Sequence, residues 1–197
     1  MTTNPSSLNH VYEKSITEGI TFSLPDEGKG FLHISHYVLI MEKVEWADSV
    51  LIGPGLGRNE STQSLIKKLV KSIDKPLILD ADGLFPYAGS LNKLSRKKNP
   101  LIITPHFGEF ARLINVEVED VISDFPKIME NTLKIFDQTL LIKQVPICTL
   151  EKNKAVVNIS GNPGLSSAGT GDILSGCLLY TSPSPRDATL SRMPSSA

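Results

Sequence analysis

Three short apolar runs, each followed at once by a polar or glycine-rich turn, constrain the fold of this chain more than any other feature. The runs lie at residues 49–52, 76–79 and 101–103. Apolar residues at helical spacing follow the first run and the third. Strand, turn and helix in this order predict βαβ units and a parallel sheet. In such a sheet the ligand crevice lies beyond the carboxyl ends of the strands, where all of these turns fall.

Two of the turns carry glycines and carboxylates. In residues 53–57 only four residues separate the first glycine from the last, which matches neither the dinucleotide fingerprint nor a Walker A loop. The next turn contains Asp80 and Asp82. Alternate residues at a strand end point to opposite sides, so we do not expect both carboxylates to face one metal ion. One of them is predicted to cap a helix, and we place Asp82 rather than Asp80 beside the site.

A glycine-rich segment at residues 161–176 predicts an anion site. Gly169 and Gly171 lack a Cβ, so the backbone there can approach a ligand closely. The apolar residues that follow have helical spacing, and we therefore expect the amides of about residues 169–172 to be unpaired donors at a helix N-terminus. The residues with this spacing are Ile173, Leu174, Leu178 and Leu179.

Asp172 is the one carboxylate within that predicted phosphate-binding turn. A negative group among donors that attract phosphate suggests a task, and we interpret Asp172 as the base that takes a proton from a substrate hydroxyl. The structural alternative is that Asp172 only favours the helix N-terminus, where an acidic residue gains about 0.3–1 kcal/mol from the helix dipole.

Four motifs in order, GPGLG, DADGL, TPHxGE and NPGxxxxGTGD, resemble those of the ADP-dependent NAD(P)H-hydrate dehydratase family of the ribokinase-like superfamily. The similarity runs from about residue 21 to about residue 179. It implies a ribokinase-like three-layer α/β/α domain with a mostly parallel central sheet. It also implies repair of a damaged cofactor, in which NADHX or NADPHX is dehydrated to NADH or NADPH. The substrate hydroxyl would be phosphorylated by a nucleotide and phosphate would then be eliminated.

The resemblance implies roles for the residues of the GTGD turn. Asp172 corresponds to the family's base and also to a substrate contact. Gly169 and Thr170 correspond to the anion hole for the transferring phosphoryl group, and Gly171 belongs to the same catalytic turn. Thr170 and Gly171 are also implied nucleotide contacts. Amides aimed at developing negative charge are usually a large catalytic contribution.

Further substrate contacts are implied for Gly55, Gly57 and His106. For His106 the alternative is a histidine packed in a turn after proline. Glu109 falls where ribokinase-like enzymes carry the glutamate of an Asn-x-x-Glu pattern, which implies that it helps to organise Mg²⁺ through water. The alternative for Glu109 is a carboxylate in the first turn of a helix.

Lys143 follows the apolar run 140–142, at the place where the family has Lys-Gly-x-x-Thr. It is an implied AMP contact, and the alternative is a solvated lysine at a strand end. The family's glycine and threonine are replaced by Gln144 and Ile147, which predicts weaker nucleotide binding. The last motif is similar to its prokaryotic form, so we expect ADP as the co-substrate, with ATP left open, together with Mg²⁺.

The resemblance also sets expectations for the domain boundaries. Residues 1–20 show no clear pattern, residues 21–179 correspond to a partial dehydratase domain, and residues 180–197 are predicted to be a disordered, non-native tail. Family members begin with a strand and a glycine-rich substrate segment that this chain is expected to lack. We therefore expect both ends of the domain, and part of the substrate pocket, to be missing.

Composition excludes several classes of protein. The chain has 197 residues, 40% of them hydrophobic and 21% charged, with a net charge of −1. Mixed charge without a large basic face argues against nucleic-acid binding, and no apolar run reaches the roughly 18 residues of a membrane span. Cys148 and Cys177 lack metal-ligand spacing, so we predict core thiols and a cytoplasmic setting. Relatives often assemble, so the resemblance is compatible with a homo-oligomer.

Two other functions stay open at this point. A ribokinase-like small-molecule kinase would use the same anion hole and base, but it would leave a stable phosphate ester. A non-enzymatic fragment would keep the nucleotide-facing half of the domain without a complete pocket. The sequence does not separate NADHX from NADPHX as the substrate.

Overall fold

The computed structural model describes residues 1–95, 99–144, 146–152, 154–160 and 167–181. The strands in these ranges are β1 (Thr2–Pro5), β2 (Thr21–Leu24), β3 (Val50–Ile52), β4 (Leu77–Leu79), β5 (Leu101–Ile103), β6 (Thr139–Ile142), β7 (Ile147–Glu151) and β8 (Lys154–Asn158). The helices are α1 (Asn9–Ser15), α2 (Tyr37–Trp46), α3 (Glu60–Ser72), α4 (Phe107–Ile114), α5 (Val118–Ser123), α6 (Phe125–Ile135) and α7 (Thr170–Thr181).

The main sheet contains six strands in the order β3-β4-β5-β6-β7-β8. Strands β3 to β6 run parallel, whereas β7 and β8 continue the sheet antiparallel. The predicted mostly parallel α/β sheet is therefore confirmed. Ile52 pairs with Leu79, and Leu79 pairs with Ile103. This register brings the carboxyl ends of the first three strands, and the polar turns after them, to one edge of the sheet.

Burial explains why these runs form strands. All three residues of β4 are buried, at 1% exposure or less, which is typical of a parallel strand covered on both faces. Helix α3 buries one apolar stripe and is capped by Asn59, whose side chain accepts a hydrogen bond from the Ser61 amide. Full burial of each large aliphatic side chain contributes roughly 1.5–3 kcal/mol. The buried apolar residues of the α3 stripe are Leu65, Ile66, Leu69 and Val70.

Two segments differ from the sequence pattern. After β4 the chain forms short 3₁₀ turns at Ala81–Gly83, Phe85–Tyr87 and Leu91–Lys93 instead of a helix. Residues 1–20, which show no clear pattern in sequence, contain β1 and α1, and β1 pairs in parallel with β2. Polar residues dominate β1, and α1 buries none of its side chains, so neither element has the apolar periodicity that would reveal it.

A buried carboxylate organises the N-terminal region. Asp26 is 4% exposed and accepts hydrogen bonds from the Ser6 hydroxyl at 2.7 Å, the Gly30 amide at 2.7 Å, and both the hydroxyl and the amide of Ser7. We call Asp26 and these donors the Asp26 cluster. The hydrogen bonds, those of the two serine hydroxyls first, hold the pKa of the Asp26 carboxyl far below its usual range.

A cleft of about 520 Å³ opens beside the edge strand β3. Its walls come from β1, α2, β3 and α3, and Leu179 of α7 also lines it. Trp46, the last residue of α2, lies at this cleft with 70% of its surface exposed. The cleft is thus a large, partly apolar space that reaches the sheet edge at the GPGLG turn, since Gly53, Pro54, Gly55 and Leu56 also line it.

The two cysteines differ in exposure. Cys148 in β7 is buried, and burial raises the pKa of its thiol, whereas Cys177 in α7 is exposed. The prediction of a core thiol is confirmed for Cys148 and wrong for Cys177, because α7 buries only Ser175 among its residues. In the described part of the chain, no helix is long and apolar enough to cross a membrane. The predicted tail spans residues 180–197, but α7 extends to Thr181, so the prediction is wrong for its first two residues. Residues from Ser182 onward, and the NPG portion of the last motif, lie outside the described residues.

Candidate active site

A buried ion pair lies at the edge of the sheet where the polar turns meet, which we call the site edge. The Asp80 carboxylate is 1% exposed, and its Oδ1 atom accepts from the Lys143 ammonium at 2.6 Å and from the Ala81 amide at 2.8 Å. Its Oδ2 atom accepts from the Ser175 hydroxyl at 2.6 Å. We call Asp80, Lys143 and Ser175 the Asp80 cluster. It joins the ends of β4 and β6 to helix α7.

Lys143 contacts two residues that the sequence predicts for the site. Its backbone pairs with His106, and its amide donates to the Pro105 carbonyl at 2.8 Å. A Cβ placed on Gly171 would lie 3.3 Å from the Lys143 Nζ atom. The Lys143 side chain is 21% exposed, so the alternative of a plain solvated lysine is wrong.

Helix α7 begins at the predicted anion-binding turn. Gly169 has a φ of +87° and accepts the first helical hydrogen bond, from the Ile173 amide at 3.1 Å. The Thr170 amide already donates to the Ser167 carbonyl at 3.3 Å, so the expectation of an unpaired donor is wrong at that position. The amides of Gly171 and Asp172 have no acceptor among the described residues, which leaves two donors at the helix start.

Asp172 is exposed in the first turn of α7. Among the described residues, none donates a hydrogen bond to its carboxylate. The structural alternative is therefore reduced to the charge interaction with the helix dipole, because the carboxylate accepts no capping hydrogen bond from the part of the chain that the structure describes. The carboxylate is open to a ligand that binds at this turn.

His106 and Glu109 form a reciprocal cap at the start of α4. The His106 Nδ1 atom accepts from the amides of Gly108, at 3.0 Å, and Glu109, at 3.3 Å. The Glu109 Oε2 atom accepts from the His106 amide at 2.9 Å. Because Nδ1 accepts, the neutral ring carries its proton on Nε2. The His106 side chain is 58% exposed, so the alternative of a packed histidine is wrong.

The described carboxylates limit how Mg²⁺ could bind. Both oxygens of Asp80 already accept from protein donors, and one oxygen of Glu109 serves the helix cap. Within the described residues there is no group of three or more metal-ligating side chains. These residues fit an ion held mainly by water and phosphate oxygens, with Glu109 reaching it through water, and do not fit a protein cage.

The GPGLG turn is fixed by its first glycine. Gly53 has a φ of +147°, and a Cβ there would lie 1.6 Å from the Asp80 carbonyl oxygen, so only glycine is accommodated. The Gly57 amide donates to Asp82 Oδ2 at 2.9 Å, and Arg58 Nε lies 3.5 Å from Asp82 Oδ1. These contacts place Asp82 beside the GPGLG turn. Asp80 lies at the same edge in a more central position, so the preference for Asp82 over Asp80 as the residue beside the site is not supported.

The described contacts connect part of the predicted site. A small cavity of about 10 Å³ lies between the residues next to the GPGLG turn and the start of α4. The residues that line it include Arg58, Asp82, Phe85, Glu109 and Arg112. No described hydrogen bond or ion pair joins Asp172 to His106 or to Gly57. Sequence reasoning missed Arg58 and Ser175. A hydroxyl within the apolar pattern of α7 is the only sequence signal for Ser175.

Comparison with known proteins gives consistent matches. A family model described as NAD(P)H-hydrate dehydratase matches residues 9–192. The bifunctional NAD(P)H-hydrate repair enzyme Nnr of Moorella thermoacetica is 31% identical over 175 residues, covering 88% of this chain and 33% of the relative. The chain thus spans about a third of the length of that relative.

Solved structures show the same fold at lower sequence identity. The ADP/ATP-dependent NAD(P)H-hydrate dehydratase from Bacillus subtilis, co-crystallised with ATP and Mg²⁺ and soaked with CoA, superposes with a TM-score of 0.63 at 24% identity. The match covers 89% of this chain and 60% of that chain. The hydroxyethylthiazole kinase of Pyrococcus horikoshii gives a TM-score of 0.57 at 17% identity, covering 96% and 74%. The ribokinase-like fold expected from the sequence is confirmed.

Proposed function

This chain belongs to the NAD(P)H-hydrate dehydratase family, and we propose that it dehydrates NADHX or NADPHX to NADH or NADPH while ADP is converted to AMP and phosphate. ADP gives up its terminal phosphoryl group to the substrate hydroxyl oxygen, leaving AMP. The C–O bond of the phosphate ester then breaks, so that inorganic phosphate leaves with that oxygen, and the neighbouring ring carbon loses a proton as the C=C bond forms. The free cysteines fit the reducing cytoplasm that we propose as the setting.

One observation carries the proposal: the Lys143 ammonium lies against Gly171, one residue before the open carboxylate of Asp172. A cation and two amides that have no acceptor in the described ranges favour a phosphoryl group at this turn. The adjacent carboxylate is then placed to take the proton of a hydroxyl that attacks the phosphorus atom. A base placed in this way contributes typically about 10²–10⁴-fold to the rate.

The remaining residues have supporting roles in the proposed reaction. The His106 side chain is 58% exposed, and its Nε2–H, which lies 3.5 Å from Glu109 Oε1, can also donate to the substrate. Gly55 and Gly57 leave open space at the GPGLG turn. Mg²⁺, when bound, offsets the charge that develops on the transferring phosphoryl group. Glu109 would reach that ion through water, and the GTGD turn would hold the anion.

The test is recovery of NADH absorbance from purified NADHX with Mg²⁺ and either ADP or ATP. Replacement of Asp172 by Asn should lower the rate about 10²–10⁴-fold because the base is lost. Glu60→Gln is the matched control, since Glu60 is also an exposed carboxylate in the first turn of a helix. Its rate should equal that of the wild type.

Each other outcome has a defined meaning. Unchanged NADH formation in the Asp172→Asn variant would remove Asp172 from the mechanism. A stable phosphate ester in place of free phosphate would favour a small-molecule kinase, and a folded chain without any product would favour a non-enzymatic fragment. The faster of the two nucleotides identifies the co-substrate.

A further inference from the structure

We infer that Asp80 is a positioning residue for the nucleotide: its carboxylate holds the Lys143 ammonium against the GTGD turn, where that ammonium meets the phosphoryl groups. The inference rests on the nucleotide dependence of the proposed function. Asp80 itself touches neither substrate nor nucleotide in this role.

The burial of Asp80 requires a partner of opposite charge. A carboxylate that is 1% exposed is costly unless it is paired and fully hydrogen-bonded. Lys143 supplies the cation, and the Ala81 amide and the Ser175 hydroxyl complete the set of donors. An ammonium has three N–H donors, of which Asp80 takes one, and the Lys143 side chain stays 21% exposed. Donors therefore remain on its open side.

The Lys143 ammonium lies beside the start of α7. The position of a Cβ on Gly171 is 3.3 Å from Nζ, so the ammonium lies beside the first turn of this helix. The amides of Gly171 and Asp172 are unpaired there among the described residues. An ammonium and helix N-terminal amides therefore lie side by side at this turn, and both kinds of donor bind phosphate oxygens.

Asp80 also fixes Lys143 relative to the helix. Lysine has a flexible four-carbon stem, so an untethered ammonium would sample many positions. Because Asp80 contacts both Lys143 and Ser175, the cation and α7 are held by the same carboxylate. Holding a group in its bound position lowers the ordering cost of binding. Loss of the tether should therefore weaken nucleotide affinity.

The Asp26 cluster supplies a matched control for a purely structural role. Asp26 is 4% exposed and is held by several hydrogen bonds, yet all of its donors are neutral and lie in the N-terminal region. Replacement by Asn removes a buried, hydrogen-bonded carboxylate in both cases. Only Asp80→Asn removes the partner of Lys143.

The experiment measures Mg-ADP affinity by isothermal titration calorimetry for the wild type, Asp80→Asn and Asp26→Asn, below the unfolding temperature of each. We expect Kd to rise about tenfold in Asp80→Asn, equivalent to about 1.4 kcal/mol, and to stay within about twofold in Asp26→Asn. In a Lys143→Met background, the Asp80→Asn change should add little to Kd because the tethered group is gone. Equal affinities in Asp80→Asn and Asp26→Asn would overturn the inference.

A second measurement uses only the wild type, in case Asp80→Asn does not fold. Lysine acetylation followed by mass spectrometry should modify Lys143 more slowly than the exposed Lys71, and Mg-ADP should slow it further. Labelling of Lys143 at the rate of Lys71 would overturn the inference. A wild type that binds Mg-ADP but forms no NADH would refute the dehydratase proposal. The affinities of Asp80→Asn and Asp26→Asn would then still decide whether Asp80 positions Lys143. A wild type that binds no nucleotide would refute both.

Discussion

Asp80 and Asp26 are both almost fully buried carboxylates, but they are held by different kinds of donor. Within the described ranges, Asp26 accepts only from neutral hydroxyls and amides of residues near the N-terminus. Asp80 accepts from a cation and a hydroxyl that lie 63 and 95 residues away in sequence. The Asp26 cluster therefore closes a local loop, whereas the Asp80 cluster ties three elements together at the site edge. The kind of donor, rather than burial, therefore distinguishes the two carboxylates.

The two carboxylates also differ in how closely the neighbouring backbone is packed. A Cβ on Gly53 would collide with the Asp80 carbonyl oxygen at 1.6 Å. Gly30, which donates its amide to Asp26, has a φ of +72°, and no atom lies within 4 Å of the position that a Cβ would occupy there. The backbone is thus closely packed where Gly53 meets Asp80, while there is space beside Gly30.

The strongest test of this difference is Gly53→Ala against Gly30→Ala. We expect Gly53→Ala to lower the free energy of unfolding by at least about 3 kcal/mol, because β3 must move away from Asp80. Gly30→Ala should cost about 1–2 kcal/mol, from the left-handed backbone alone. Urea unfolding followed by circular dichroism measures both. Equal losses would contradict the difference in packing.

Acid should act mainly on the Asp26 cluster. The pKa of the Asp26 carboxyl is lowered in the folded state, so its stabilising contribution is complete above the ordinary carboxyl pKa of about 4. It is lost progressively as pH falls from about 5 toward the folded-state pKa. In urea midpoints measured from pH 7 to pH 3, Asp26→Asn should start lower at neutral pH and then fall less steeply than the wild type.

Glu130→Gln is the control for that pH series. The hydrogen bond from Lys134 also lowers the pKa of Glu130, but this ion pair lies on the surface of α6. Exposed pairs contribute little to stability and are screened by salt. Its pH profile should follow that of the wild type, and a profile as flat as that of Asp26→Asn would show that the acid effect is not specific to the cluster.

Two substitutions of His106 distinguish a role in capping α4 from a contact with the substrate. His106→Ala removes the acceptor for two amides at the start of α4 and should lower the free energy of unfolding by about 1 kcal/mol. His106→Asn keeps a capping acceptor but loses the exposed Nε2–H, so it should preserve stability and raise the KM for NADHX. Unchanged KM in both variants would limit His106 to a structural role.

The smallest expected effect is on thiol reactivity. Exposed Cys177 should react rapidly with a disulfide reagent in the native protein, whereas Cys148 should react only after unfolding because burial raises its thiol pKa. Cys177→Ser should abolish the fast phase without changing the unfolding midpoint. A remaining fast phase would show that β7 opens readily beside the strand that leads to Lys143.

Local patterns in the sequence predict the strands and turns of the sheet edge well. Apolar runs followed by polar turns identify β3, β4 and β5, and helical spacing identifies α3. The 3₁₀ turns after β4 and the N-terminal elements are not predicted from the sequence, because their apolar residues have no clear helical or strand spacing. Pairing of Asp80 with Lys143 and Ser175 depends on how distant segments pack, and sequence spacing carries no signal for it. The substrate and nucleotide roles of the GTGD, GPGLG and TPHxGE residues stay predictions.

The cleft beside β3 contains a built-in optical reporter. Trp46 is the only tryptophan of the chain, and its indole lies exposed at this cleft. Indole emission moves to shorter wavelength when water leaves the ring, so any segment or molecule that fills the cleft should produce a blue shift in intrinsic fluorescence. A steady-state emission spectrum can therefore report occupancy of the cleft without a label, while calorimetry measures the binding of Mg-ADP.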